Sequence, residues 1–172
     1  MEWQKFIVDI YVRISQALGQ ALGGLTVDDL NQRPRPDCNS MGWLAWHLTR
    51  NQDRAIAELT GEEQLWVKDH WHTKFNRPPE PTDTGFGHSS EDVAAFKSPD
   101  SRTLLEYHNA VLERSKRYIS QLSEADLKRK LNHPVFPTVS ARLISVISDN
   151  LQHAGQIAYV RGLLKGKGWS TI

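Results

Sequence analysis

Apolar residues recur every three or four positions in four long stretches of the chain, which is the pattern of amphipathic helices. Each stretch follows a residue that can cap a helix or ends at a glycine that can terminate one. No segment alternates apolar and polar residues as a half-buried strand does, and none repeats in tandem. We therefore predict an all-α protein, an antiparallel four-helix bundle. The predicted helices run from Trp3 to Leu22, from about Met41 to about Leu59, from Asp100 or Ser101 to Leu122, and from Thr138 to a stop at Gly166.

The connection between the second and third helices, residues 62–100, lacks helical periodicity. It mixes aromatic residues with prolines and glycines, as ordered but irregular loops do. Connections of this length inside a compact domain are usually functional, often as lids over a site. We therefore predict a long crossover loop, with a short helix that begins after Ser89. Further short helices are predicted to begin after Thr26 and Ser123.

The composition limits the classes of partner. A chain of 172 residues is the length of one ordinary domain, and we expect a single helical domain over residues 1–172. Its 21 Lys and Arg residues nearly balance its 20 Asp and Glu residues. A formal charge of +1 gives no basic surface for a phosphate backbone, so we expect no nucleic-acid partner.

The cellular compartment follows from what the sequence lacks. The single cysteine, Cys38, cannot form an intramolecular disulfide, and the first five residues lack the basic-then-apolar pattern of a signal peptide. The longest apolar runs are far too short to span a bilayer. We therefore expect a cytoplasmic protein that does not contact a membrane.

Asp149 and His153 are the residues that point most directly to chemistry. They lie four positions apart in the fourth helix, so both side chains leave the same face, one turn apart, as two ligands of one divalent metal would. They interrupt an otherwise apolar row, where a carboxylate without a partner would be costly or would protonate. His47, at the edge of the apolar stripe of the second helix, is our candidate for a third ligand.

Spacing alone leaves other interpretations of these residues open. An Asp and a His four apart on a helix often form a surface ion pair, and a histidine at a buried edge is more often hydrogen-bonded in the core than bound to a metal. Arg50 and Asp53, three apart in the second helix, are expected on the surface beside this row. Such a pair usually stabilises a helix only slightly.

Two segments resemble the signature helices of the DinB-like superfamily of four-helix-bundle metalloenzymes, which includes thiol transferases and the mycothiol-dependent maleylpyruvate isomerase. They are WLAWHLTRNQD at residues 43–53 and DNLQHAGQIAYVRG at residues 149–162, and the likeness covers most of the chain. The resemblance implies a DinB-like fold. It places the family's ligands, one in the second helix and two in the last, on His47, Asp149 and His153. It also implies a homodimer, because members often dimerise through helix faces.

The chain departs from the family's pattern at Asp149. The family commonly has a histidine there, and the isomerase-like branch a glutamate. Aspartate reaches the ion over one fewer methylene than glutamate, so we expect the metal affinity or geometry to differ. The isomerase also has an additional carboxy-terminal domain, for which the residues after Trp169 leave no room. We therefore do not transfer its particular reaction.

The resemblance and the ligand set together predict a metal-dependent transferase or isomerase acting on a small-molecule substrate. Two neutral imidazoles and one carboxylate leave a divalent ion with net positive charge, able to activate a thiol or water and to polarise a carbonyl. A low-molecular-weight thiol cofactor would be held there as the nucleophilic thiolate. Zinc is the metal that we expect first, with nickel, iron and manganese as alternatives.

Other functions stay open on the sequence alone. Mononuclear iron oxygenases use the same set of two histidines and one carboxylate. This ligand set would also suit metal-assisted hydrolysis. Outside catalysis, a closed metal site could stabilise a binding or structural bundle. An open coordination position or an adjoining pocket would favour chemistry, whereas a fourth protein ligand filling the site would favour structure.

Weaker candidates lie elsewhere in the chain. His70, His72 and His88 could form a second metal site, although histidines in an aromatic loop more often pack than ligate. Cys38 is interpreted as structural or incidental. The residues that we expect to assist near the ion are Tyr107, His108 and Gln156.

Overall fold

The four apolar stretches form four long helices, and the connections carry short ones. The structure, a computed structural model, describes residues 2–166; the predicted domain limits at 1 and 172, and Trp169, lie outside the described residues. Within this range the chain forms helices but no strand, which confirms the all-α prediction. None of these helices has the length and apolar character to cross a membrane. The helices are α1 (Trp3–Leu22), α2 (Val27–Asn31), α3 (Met41–Thr60), α4 (Leu65–Lys68), α5 (Trp71–Lys74), α6 (Ser90–Ala95), α7 (Ser101–Ser120), α8 (Glu124–Lys128) and α9 (Val139–Lys165).

Local capping decides where the long helices begin and end. The Ser40 hydroxyl accepts the backbone N–H of Trp43, and the Asp100 carboxylate accepts that of Thr103, so these two residues are the caps of α3 and α7. Gly61 ends α3 in the left-handed conformation, with φ of 74°. The predicted helix limits are therefore confirmed to within a residue or two.

Each long helix packs against two others, and their directions follow from the contacts. α1 and α3 each pack on both α7 and α9. α3 and α9 are antiparallel, because Glu58 near the end of α3 binds Arg142 near the start of α9, while Asn51 contacts Asp149 further along. The crossover, residues 61–100, returns the chain to the end of the bundle where α3 began. α7 consequently runs parallel to α3.

The crossover contains more helix than the sequence pattern indicated. α6 begins after Ser89 as predicted, in a capping box with Asp92. α4 and α5, each of four residues, were not predicted. Trp66 and Trp71 from these two turns are buried against Tyr107 of α7. The crossover is thus a packed layer over one side of α3 and α7.

Asp53 is fully buried, and the prediction that it lies on the surface is wrong. Its carboxylate accepts the backbone N–H groups of Leu65 (3.0 Å) and Trp66 (2.8 Å) at the start of α4, and the hydroxyl of Tyr107 (2.8 Å). Burial raises the pKa of Asp53, and these hydrogen bonds oppose that shift. The carboxylate therefore fixes the start of the crossover onto α3.

Arg50, the other residue expected on the surface, is fully buried as well. Its guanidinium lies 4.5 Å from the centre of the Trp66 ring and donates hydrogen bonds to the backbone carbonyls of Glu80, Pro81 and Asp83. One arginine thereby binds three backbone carbonyls of the crossover at once. The sequence pattern failed here because the crossover covers the polar side of α3.

A chain of buried polar groups also links three of the long helices. The Asn150 amide on α9 donates to the Gln52 carbonyl oxygen on α3 (2.7 Å), and the Gln52 amide donates to the Ser115 hydroxyl on α7 (2.8 Å). All three side chains are fully buried. Because an unpaired buried amide would be costly, these bonds define how the helices align.

His108 lies in the core between α7 and α3. The Thr49 hydroxyl donates to the carbonyl of Ala45 and so accepts the Nδ1–H of His108 (3.2 Å). The ring is fully buried, and burial lowers the pKa of His108 to about 4, from an ordinary value of 6.5. His108 is therefore neutral in the folded protein at neutral pH.

This buried histidine should destabilise the protein in acid. Below pH 6.5 the unfolded chain protonates His108, while the folded protein does not until about pH 4. The free energy of unfolding should therefore fall as pH decreases through this window, by about 3 kcal/mol from this residue alone. Urea denaturation of the native protein and of His108→Gln at a series of pH values measures it. Equal pH dependence of the two proteins would contradict the assignment.

Candidate metal centre

Two helices bring the three predicted ligands together. His47 lies on α3, and Asp149 and His153 lie one turn apart on α9. One potential ligand atom from each lies within 4.8 Å of the others. Between residues 2 and 166 this is the one group of three or more His, Cys, Asp or Glu side chains close enough to share an ion. His47 is buried, and the other two are half-buried, so the group opens toward solvent on the α9 side.

The His47 ring is oriented by the crossover. Its Nδ1 lies 2.5 Å from the backbone carbonyl oxygen of Thr84, which can only accept, so Nδ1 carries the proton. The ring stacks on Trp43, with centroids 4.7 Å apart and an angle of 12° between the planes. Burial lowers the pKa of His47, against an opposing effect of the Thr84 carbonyl. The result is a neutral imidazole whose Nε2 lone pair faces the site, which is the form that binds metals.

A tight turn positions the Thr84 carbonyl. Asp83 accepts the backbone N–H of Gly85 and holds Arg77 (2.6 Å) and His88 (3.0 Å) through its two oxygens. Gly85 has φ of 85°, and a Cβ at this position would lie 2.7 Å from Trp43, 2.9 Å from Trp46 and 3.2 Å from Nδ1 of His47. Only glycine permits this close approach of the turn to the ligand.

Asp149 and His153 form an ion pair. Nε2 of His153 lies 3.3 Å from one Asp149 oxygen, and its Nδ1 donates to the Gln156 carbonyl oxygen (2.7 Å). Burial alone would lower the pKa of His153, but these two partners raise it above its usual value. Burial likewise raises the pKa of Asp149, but hydrogen bonds from His153 and Asn51 outweigh it, and the pKa is lowered. The proton between Nε2 of His153 and Asp149 thus lies between two atoms that could bind a cation.

Asn51 completes the contacts of the group. It lies one turn after His47 on α3, and its amide nitrogen is 3.1 Å from Nε2 of His47 and 3.1 Å from the second oxygen of Asp149. The amide therefore offers positive N–H groups to two of the three potential ligand atoms. The sequence places Asn51 four residues after His47 in the same predicted helix, and nothing in the sequence signalled the Thr84 carbonyl.

The residues present suit a divalent metal. Two imidazole nitrogens and a carboxylate oxygen are a common donor set for zinc, iron and related ions. The ligand atoms of His47, Asp149 and His153, within 4.8 Å of one another, are close enough to share one ion. Both imidazoles already give their Nδ1–H to fixed acceptors, Thr84 and Gln156, as the histidine ligands of metal sites usually do.

The other candidates lie elsewhere, except for Gln156. Tyr107 donates to Asp53 and His108 to Thr49, on the opposite side of α3 from His47, so the structure does not bring them to this group. The possible second site is not assembled among the described residues: His72 contacts the Arg77 carbonyl, and His88 is bound to Asp83 and Trp43.

A groove of about 340 Å³ reaches Gln156, although none of the three candidate ligands lines it. Gln156, the partner of His153, lines it together with Cys38, Leu44 and Val160. Cys38 thus lines the same groove as Gln156, and its own contacts are to nearby loop residues. The groove offers space for a small molecule one side chain away from His153.

Comparison with known proteins places these features in a family. The DinB superfamily matches residues 11–157, a range that includes α3 and the part of α9 that carries Asp149 and His153. A crystal structure described as the conserved protein of locus from Enterococcus faecalis is 30% identical, with a TM-score of 0.88; the similarity covers 97% of this chain and 99% of that one. No curated protein matches the chain.

The turn at Gly85 gives a test of how His47 is held. Gly85→Ala should push the turn away, break the bond between Thr84 and His47, and lower the free energy of unfolding by about 1–3 kcal/mol more than Gly87→Ala. Gly87 is the matched control, because it has a similar φ of 82° but open space around an added Cβ. Urea denaturation and the NMR signal of the His47 Nδ1–H measure the effect. Equal losses in both variants would contradict this role of the turn.

Proposed function

The chain belongs to the DinB superfamily, and from this premise we propose that it is a metal-dependent enzyme. A divalent ion would be held by His47, Asp149 and His153 and would activate a small thiol or a water molecule for group transfer or isomerisation. The observation that carries the proposal is the convergence of these three side chains, from two helices, to within 4.8 Å. Zinc is the first metal to test, followed by nickel, iron and manganese.

The side chains around the ion have definable tasks. When bound, a divalent ion supplies a positive charge that acidifies a thiol or water and polarises a carbonyl. Thr84 and Gln156 hold the two imidazoles so that both present Nε2. Asp149 supplies the one negative charge, which keeps the loaded site net positive and attractive to a thiolate. Trp43, stacked on His47, excludes water from the α3 side.

The adjoining groove supports catalysis over a purely structural role. A metal that only tied α3 to α9 would need no space beside it. The groove at Gln156 instead offers room for a small-molecule substrate or a low-molecular-weight thiol, separated from His153 only by the Gln156 side chain. Its walls include the apolar side chains of Leu44 and Val160, so we propose a substrate with an apolar portion.

We also propose that the protein is a homodimer through α9. Ile144, Leu151 and Tyr159 lie along one face of this helix and are 63%, 52% and 70% exposed. On the same face, an added Cβ at Gly155 would meet no atom within 4 Å, so a second helix could approach closely there. A symmetric pairing of α9 with its copy would cover this apolar stripe.

Metal content tests the proposed site. The native protein should hold close to one zinc, nickel, iron or manganese ion per chain, and Asp149→Asn and His153→Ala should each lose it, because two remaining ligands bind weakly. Mass spectrometry of untagged protein measures this. Asp69→Asn and His70→Asn are matched controls, as both residues are exposed, and should keep the metal. A native protein that stays metal-free after reconstitution with each ion would refute the proposal.

Sedimentation tests the proposed dimer. Leu151→Glu places a charge in the apolar stripe and should convert a dimer to a monomer at micromolar concentration. Gln121→Glu adds the same charge at an exposed position at the end of α7, a helix that packs on α1 and α3, and should leave the dimer intact. A monomeric native protein, or a dimer that survives Leu151→Glu, would exclude this interface.

A further inference from the structure

The orientation of the Asn51 amide is determined by its neighbours. Nδ1 of His47 gives its proton to the Thr84 carbonyl, so Nε2 can only accept. The second oxygen of Asp149 accepts as well. The atom between these two acceptors is the amide nitrogen, 3.1 Å from each, and it gives one hydrogen to each. Asn51 thus directs its N–H groups at two of the three candidate ligand atoms.

We infer that Asn51 is a fourth metal ligand, through its carbonyl oxygen, an inference that rests on the proposed metal site. An ion would take the lone pairs of His47 and Asp149, and the two N–H groups of Asn51 would lose both acceptors and point at a positive charge. A half-turn of the terminal amide exchanges nitrogen for oxygen at the same place without moving α3. The oxygen then faces the ion.

The spacing of the atoms matches a coordination position. Metal–ligand bonds of about 2.0–2.2 Å, at angles between a right angle and the tetrahedral angle, place neighbouring ligand atoms roughly 3.0–3.5 Å apart. The Asn51 amide nitrogen lies 3.1 Å from Nε2 of His47 and 3.1 Å from the Asp149 oxygen. The separation is therefore one that a ligand of the same ion could have, and the affinity and NMR measurements distinguish such a ligand from a hydrogen-bond partner.

A fourth protein ligand changes which ions suit the site. A tetrahedral zinc ion held by four protein ligands has no open position and would be structural. An ion that takes six ligands keeps two positions open beside the same four side chains. With two nitrogen and two oxygen donors, the site would suit a six-coordinate nickel, iron or manganese ion with open positions, and would hold zinc as a closed site.

NMR spectroscopy of the Asn51 side chain observes the amide directly. The probe is ¹⁵N-labelled protein titrated with Cd²⁺, and Asn51→Asp identifies the amide signals by their loss. Without metal, both amide protons should show contacts to the His47 ring and slow exchange with water. With metal, these contacts should disappear. Amide protons that keep their contacts to His47 in the loaded protein would overturn the inference.

Affinity measurements separate a ligand from a hydrogen-bond donor. For Ni²⁺ and Mn²⁺ measured by calorimetry, Asn51→Ala should weaken binding at least tenfold, while Asn51→Asp, which can ligate but cannot donate, should keep the native affinity or exceed it. Gln152→Ala, an exposed amide on α9, is the control. Equal losses in Asn51→Ala and Asn51→Asp, or none in Asn51→Ala, would overturn the fourth ligand and leave the three-ligand site standing. A native protein that binds no metal would instead refute the proposed function.

Discussion

The buried carboxylate of Asp53 is the constraint on which the rest of the structure depends. A charge removed from water is tolerated only when its oxygens are fully paired, and Asp53 finds its partners in α4 and α7 as well as in its own helix. Satisfying it requires the crossover to begin at one place on α3. Arg50 fixes a later part of the crossover to α3 in the same way, because it binds the backbone carbonyls of Glu80 and Pro81.

The position of His47 in the candidate metal centre depends on this attachment of the crossover to α3. The segment that Arg50 holds continues directly into the turn at Asp83 and Gly85, and that turn supplies the Thr84 carbonyl to His47. The orientation of one imidazole therefore depends on a buried ion pair one to two turns further along the same helix. α9 contributes its pair of ligands more simply, because residues four apart on a helix lie together without help from the rest of the fold.

The difference between contacts within one helix and contacts with a distant segment explains how much of the structure could be predicted from the sequence. Helix limits and the convergence of Asp149 with His153 depend on local spacing and capping, and both were predicted. The burial of Asp53, the helices α4 and α5, and the contacts of Asn51 depend on what a distant segment covers. In the sequence an Arg and an Asp three apart look like a surface pair, since nothing local says that residues 61–100 fold over them. The resemblance supplied His47, which spacing alone left open.

The buried chain from Asn150 through Gln52 to Ser115 has a consequence for how the bundle assembles. Apolar faces tolerate sliding, and a helix displaced by one turn, about 5.4 Å, could still bury much the same surface. Such a displacement of α9 would strand two amides in the core without partners, and each would cost about 1–3 kcal/mol. Asn150 directly follows Asp149. The amides thus make misaligned bundles less stable than the native one. In those bundles Asp149 and His153 would not lie beside His47.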